Sequence, residues 1–257
     1  ATYTPVPDAP TNVAATDGTA TDKVTITWTK SSGATDYHVW RDAVDLGAAG
    51  DVATFDDTGA AAPTITAGTA SATDGSATDR VTLSISGASA NNGTTHTYKV
   101  VASNAAGNSV DSATNTGYRG VGSLTYLWYR SSGDADSGYS SLGGTTAPYD
   151  DTTAPAPTIT AGTAAATDGT IAAHVALSVS GQSANIGAGR YFYATVSATG
   201  ASSADTTHDR GYIGVGSLTY QWQRSAADSD AAYANIDGAT TASYNDTGAP
   251  SDGSGRY

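Results

Sequence analysis

Three runs of the chain alternate apolar and polar residues with a period of two. Val24, Ile26 and Trp28 alternate with Thr25, Thr27 and Thr29. Val81, Leu83 and Ile85 alternate with Thr82, Ser84 and Ser86, and Val175, Leu177 and Val179 with Ala176, Ser178 and Ser180. Successive side chains of a strand point to opposite faces, so each run predicts a half-buried β-strand. The same lead precedes all three: Ala15-Thr16-Asp17-Gly18, Ala72-Thr73-Asp74-Gly75 and Ala166-Thr167-Asp168-Gly169. Asp-Gly is turn chemistry, because Gly accepts a positive φ and Asp bonds its own backbone. The pattern therefore predicts three copies of a strand–turn–strand unit, designated A-B.

A second unit puts Tyr37, Val39 and Arg41 on one strand face. It recurs as Tyr126, Trp128, Arg130 and as Tyr220, Trp222, Arg224. Each copy runs into a similar turn: Phe55-Asp56-Asp57-Thr58, Tyr149-Asp150-Asp151-Thr152 and Tyr244-Asn245-Asp246-Thr247. This unit is C-E. A third unit, F-G, begins at Tyr98-Lys99-Val100-Val101-Ala102-Ser103-Asn104 and again at Phe192-Tyr193-Ala194-Thr195-Val196-Ser197, each followed by a Ser/Thr-rich strand. The segment from Gly117 to Ser131 recurs from Gly211 to Ser225, and Ala62-Pro63-Thr64-Ile65-Thr66 recurs from Ala156, both at an offset of 94 residues. A period of that size fits one small β domain rather than a solenoid turn.

Composition agrees with short strands joined by turns. All 24 acidic residues are Asp, Met and Cys are absent, and Gly numbers 30. Good helix formers are scarce, while Thr, Val, Tyr, Ser and Gly dominate. The absence of Cys excludes disulfides, thiolate metal sites and Cys nucleophiles. A net charge of −13 argues against nucleic acid, which selects clustered Lys and Arg, and no run approaches the length of a membrane helix. The opening Ala1-Thr2-Tyr3-Thr4-Pro5 reads either as a mature start after signal removal or as a fragment start.

The A-B, C and F segments resemble fibronectin type III domains, through Ala9-Pro10-Thr11-Asn12-Val13, Val24-Thr25-Ile26-Thr27-Trp28, Tyr37-His38-Val39-Trp40-Arg41 and Tyr98 to Gly107. The later Leu-Thr-Tyr-x-Trp-x-Arg segments resemble bacterial immunoglobulin-like domains. The resemblance implies an all-β fold of sandwich repeats, as in large bacterial or archaeal surface and secreted proteins, with no catalytic residues. The order of units departs from a tandem array, because a second A-B appears where F should follow C-E. Each A-B hairpin is thus expected in the E-F connection of the preceding domain. The expected domains are 8–60 plus 92–119, then 62–90 plus 121–153 plus 188–213, then 156–186 plus 215–257, the last without F and G. Core volume supports this order. The first copy carries Trp28 on B and Val39 on C, whereas the later copies carry Ile85 and Val179 on B and Trp128 and Trp222 on C. The large residue changes sheet while total volume stays similar, as close packing requires.

Candidate chemistry is sparse. His38, His96, His174 and His208 show no ligand spacing. The pairs Asp56/Asp57 and Asp150/Asp151 are candidate Ca²⁺ ligands, or else turn caps. Asn92-Gly93-Thr94 and Asn245-Asp246-Thr247 fit the glycosylation pattern. Trp40 and Tyr129 alternate away from the core side of C, where they form either a sugar-binding face or a contact with a neighbouring domain. No cofactor and no enzymatic activity are expected. The expected function is a non-catalytic structural repeat of an extracellular fibre, stalk or cell-surface layer. The alternative is a carbohydrate- or partner-binding accessory module of a secreted adhesin or enzyme. Expected partners are further copies of the chain or its own continuation beyond 257, with surface glycans as a further possibility and no nucleic acid.

Overall fold

A computed structural model describes residues 4–167, 174–250 and 254–257. The third Asp168-Gly169 lead lies outside the described residues. Those described form an all-β, sandwich-like structure with no helix. Thr11–Ala15, Val24–Thr29 and Thr54–Asp57 make one antiparallel sheet, with Val24–Thr29 in the middle. Opposite it, His96–Asn104 pairs with Asp36–Arg41 in the register Val100↔Val39 and Tyr98↔Arg41. Val44–Ala48 extends this second sheet beyond Asp36–Arg41. On the far side, Gly107–Asn108 and Asn115–Gly117 pair with His96–Asn104. The inward residues of the two sheets form one core of Val24, Ile26, Trp28, Tyr37, Val39, Tyr98, Val100 and Ala102.

The second sheet pair repeats this plan with a long reach along the chain. Val81–Ser86 pairs with Thr69–Ala72 on one side and with Tyr149–Asp151 on the other, in the register Leu83↔Tyr149. Thr125–Ser131 lies between Tyr139–Ser141 and Arg190–Ser197, with Trp128 opposite Ala194. Ala204–Asp205 and Asp209–Gly211 flank Arg190–Ser197. Trp128 is fully buried in one cluster with Val81, Leu83, Phe192 and Ala194, and its indole N–H donates to Thr146 O at 2.8 Å. This core therefore draws on segments more than 100 residues apart.

A third group follows the same pattern with one sheet reduced. Val175–Ser180 lies between Thr163–Ala166 and Ser243–Asp246. Facing it, Gln223–Ser225 pairs with Tyr233–Asn235 alone. Val175, Leu177 and Trp222 are only half-buried, whereas their counterparts Val81, Leu83 and Trp128 are fully covered.

In every copy, one buried ion pair ties the two sheets together. Arg41 reaches Asp57 at 2.9 Å, Arg130 reaches Asp151 at 2.7 Å and Arg224 reaches Asp246 at 2.7 Å. The same carboxylates cap the following turn through the amides of Gly59, Thr153 and Gly248. In the first copy the Tyr98 hydroxyl also donates to Asp57, and burial together with that bond raises the phenol pKa. An unpaired buried carboxylate is costly, so the Arg, the phenol and the turn amide are what make burial of these acids tolerable.

Two substitutions test this architecture. Trp128→Ala is expected to cost about 3–5 kcal/mol as a large-to-small core change. Hydrogen exchange should then rise together in 81–86, 125–131 and 190–197; a rise confined to 125–131 would disprove a shared core. Asp151→Ala strands Arg130, which keeps some access to water, and should cost roughly 2–4 kcal/mol in denaturant unfolding.

Candidate functional site: the junctions between sheet pairs

The most specific construction in the molecule lies where one sheet pair meets the next. The chain passes between the first and second pairs three times: out through 59–63, back through 91–95, and out again through 117–122. These three segments are bonded to one another. Gly93 N–H donates to Arg119 O at 2.8 Å. The Arg119 guanidinium donates to Thr21 O at 3.0 Å and to Ala60 O at 3.1 Å. Ala61 N–H donates to His96 Nε2 at 3.3 Å, which leaves Nδ1 as the ring nitrogen that faces Asp42, 2.5 Å away.

The junction between the second and third pairs repeats the glycine contact at an offset of 94 residues. Gly187 N–H donates to Ile213 O at 2.9 Å, and Gly187 lies against Pro155 O as Gly93 lies against Ala61 O. A Cβ on either glycine would fall well inside contact distance of that carbonyl oxygen. Close backbone approach, rather than a special φ, therefore requires Gly at both positions. Ile213 replaces Arg119 and is buried in the second core instead of bonding carbonyls.

Each exit segment also locks the Asp-Gly turn of its own copy. Gly18 N–H donates to Tyr118 O at 2.9 Å, and Tyr118 N–H donates to Thr16 O at 3.1 Å. Gly75 and Tyr212 repeat the first bond at 2.9 Å, and Tyr212 and Thr73 the second at 3.1 Å. Gly18 has φ +70°, and a Cβ there would sit 2.9 Å from the Tyr118 ring. This explains the repeated lead more fully than turn propensity alone does. The turn at 198–201 reaches back across the first junction: Gly122 N–H donates to Thr199 O at 3.0 Å, and Gly200 lies against Thr21 and Pro63.

The structure sets the sequence-predicted carboxylates apart. Asp57 and Asp151 point inward to Arg41 and Arg130, whereas Asp56 and Asp150 point outward. Asp56 accepts from Lys23 at 2.6 Å and from Thr25, and these bonds hold its carboxyl below the usual range. Asp150 accepts from Thr82 at 2.6 Å. Neighbouring strand residues face opposite ways, so neither pair converges on one point. Among the described residues, no group of three metal-ligating side chains forms. His38 faces Asp45 at 2.8 Å, and His208 faces Asp136 at 2.5 Å. Of the two glycosylation-pattern segments, Asn92 and Asn245 are exposed, but Gly93 and Asp246 are built into the junction and the buried ion pair.

Outward aromatics stack on one another. Tyr129 and Tyr193 oppose each other in register, with ring centroids 4.8 Å apart and planes 6° apart. His208 stacks on the other side of Tyr193 at 4.8 Å, and Tyr139 meets both Tyr193 and His208 edge-on. Tyr139 and His208 both bond Asp136, and those bonds, Tyr139 first, hold the Asp136 carboxyl below its usual range. Trp40 carries Lys99 Nζ over its ring at 5.1 Å. A sugar ring binds an open aromatic face. Here both faces of Tyr193 are covered, and Lys99 lies over Trp40.

Comparison of this chain with family models, with curated proteins and with solved structures gives no match.

The junction glycines predict a sharp contrast. Gly93→Ala and Gly187→Ala should each cost on the order of 1–3 kcal/mol in thermal or denaturant unfolding, by forced overpacking against backbone. Gly133→Ala is the control, since nothing lies within 4 Å of a Cβ there, and it should be near neutral.

Acid should weaken the fold within a defined window. Asp42 is held below its ordinary value by the Thr97 amide and His96, Asp56 by Lys23 and Thr25, and Asp134 by Arg210. With the folded pKa lowered, the contribution of each is present above the ordinary carboxylate value and fades as pH falls through the lowered one. Unfolding free energy should therefore hold down to about pH 4 and drop below it. A decline beginning near pH 6 would point to histidine instead.

Proposed function

We propose that the chain is a non-catalytic structural repeat protein of an extracellular fibre, stalk or cell-surface layer. In this reading it is built from fibronectin III/immunoglobulin-like sandwiches that interleave, with the A-B hairpin of each inserted in the E-F connection of the one before. The observation that carries the reading is the junction. A tandem array has one connection between neighbours and hinges there by default. Three close-packed passes, mutually bonded at the first junction and pinned by Gly93 and Gly187 against a neighbouring carbonyl, resist both bending and separation. Removing one sandwich from its neighbour would also require drawing a hairpin out from between two strands of the same core.

Chemistry elsewhere favours scaffolding over turnover. His38, His96 and His208 each face an Asp, and the inward Asp residues face Arg. The carbohydrate-module reading is weaker, because the outward rings stack on each other instead of offering a platform. In this reading the protein lies outside the cell or on its surface and works beside further copies of the same repeat.

Single-molecule stretching between the two ends tests the proposal. Interleaving predicts that the first and second cores rupture in one concerted event, and that Gly93→Ala lowers the rupture force. Two separate events, each releasing one contiguous stretch of roughly 90–100 residues as an immunoglobulin-type domain would, overturn it.

A further inference from the structure

Among the described residues the third core is open along one side, and four observations describe what fits there. First, Tyr257 already occupies the opening position of a strand beside Gln223–Ser225. Tyr257 N–H donates to Ser225 Oγ at 2.8 Å, as Tyr191 N–H donates to Ser131 Oγ at 2.9 Å. Ser225 N–H in turn donates to Tyr257 O at 2.8 Å. Second, an apolar groove of about 210 Å³ follows, lined by Ala164, Val179, Tyr220 and Trp222. In the second sheet pair, Phe192, Ala194 and Val196 project into the corresponding space.

Third, the charge on the rim is unmatched. In the second pair, Asp134 bonds Arg210 at 2.7 and 2.6 Å, and Asp136 bonds His208 at 2.5 Å, both bases being on or beside the strand Asp209–Gly211. Their counterparts at an offset of 94 are Asp228 and Asp230. Asp230 accepts from the Tyr233 hydroxyl at 2.5 Å, as Asp136 accepts from Tyr139. Among the described residues, no cation pairs with Asp228 or Asp230. Fourth, Gly122 and Pro63 are covered by the turn at Thr199 and Gly200, whereas Gly216 has open space around it and Pro157 is half-exposed.

We propose that this open side is an acceptor for a β-hairpin of the kind that residues 192–214 give the second core, paired beside Gln223–Ser225 in the register that Tyr257 marks. Its first strand carries apolar residues at alternate positions, its turn is tight and small, and its second strand carries a His-x-Arg pair that faces Asp230 and Asp228. The proposal rests on the interleaved reading above and names the chemistry of the segment that completes the third core. Tyr257 sets the register, because its backbone is bonded to Ser225 as Tyr191 is placed against Ser131. Main-chain pairing supplies affinity, while the groove and the two acids supply selectivity.

Hydrogen exchange tests this on residues 1–257 and on the same chain with a copy of residues 192–214 appended after Tyr257. In 1–257, amides of 175–180, 223–225 and 243–246 should exchange faster than those of 81–86, 129–131 and 149–151. The appended hairpin should slow them roughly 100-fold or more, toward the rate of the second core. An appended copy carrying Phe192→Asp and Val196→Asp should give no such protection, and Asp228→Ala with Asp230→Ala in the host should reduce it. The proposal fails if the third-core amides of 1–257 already match the second core, or if the intact hairpin leaves them unchanged. The free 192–214 peptide should protect the same amides in trans, and the proposal also fails if it instead protects only amides outside the third core. Loss of protection in 81–86 and 190–197 as well would instead count against the interleaved reading itself.

Discussion

Neither of the first two cores is closed by the strands of one short local stretch of chain. Val24–Thr29 and Asp36–Arg41 supply half of the first core, but the strand that covers Tyr37 and Val39 is His96–Asn104, beyond the next hairpin. The same holds for Leu83 and Trp128, which wait for Arg190–Ser197. The remaining features follow from that constraint. Three passes must cross each junction, so their backbones must come close, and Gly is the residue that permits it. The exit segments must return to the turn they started beside, and Tyr118 and Tyr212 hold them there.

Much of this is legible in the sequence, and what is missed has a common physical cause. Strict alternation at 24–29, 81–86 and 175–180 is enough to predict strands, because the pleat imposes period two on any half-buried segment. The inward set of Ile26, Trp28 and Val39 is readable on the same ground. The ion pairs are not. Arg130 shows in the sequence as a residue on a strand face and Asp151 as part of a turn, but nothing local brings one within 2.7 Å of the other across two sheets. Gly93 reads only as the middle of Asn92-Gly93-Thr94, although its recurrence as Gly187 at the repeat offset is a usable signal. Tyr129 and Trp40 are correctly placed on the outer face, yet the stacking that covers Tyr193 depends on the cross-strand register with Tyr129.

Within this frame the aromatic row and the acid-rich surface have complementary roles. Cross-strand aromatic pairs stiffen an outer sheet face without needing a core beneath them. Tyr129 and Tyr193 lie on paired strands and His208 just before the strand on the other side of Arg190–Ser197, and Asp136 fixes the edge of the row through Tyr139. The net charge of −13 keeps a surface of short, Ser- and Thr-rich edge strands from pairing indiscriminately with other chains.

Pairing between segments so distant in sequence also has a kinetic consequence. Contacts between distant segments form slowly, because loop closure must be paid for before they contribute. Here the loop that closes the first core contains the A-B hairpin of the second, Thr69–Ala72 with Val81–Ser86, which is a local pair and can form early. A preformed hairpin shortens the effective loop between Thr54–Asp57 and His96–Asn104, and it brings 91–95 beside 59–63 through the pairing of Thr64–Thr66 with Ser89–Asn91. On the interleaved reading proposed above, this hairpin would act as a splint for closure of the first core. Its own apolar face, Val81 and Leu83, is covered by Trp128, Phe192 and Ala194, which lie further along the chain, so on that reading each core would close only after later residues are in place.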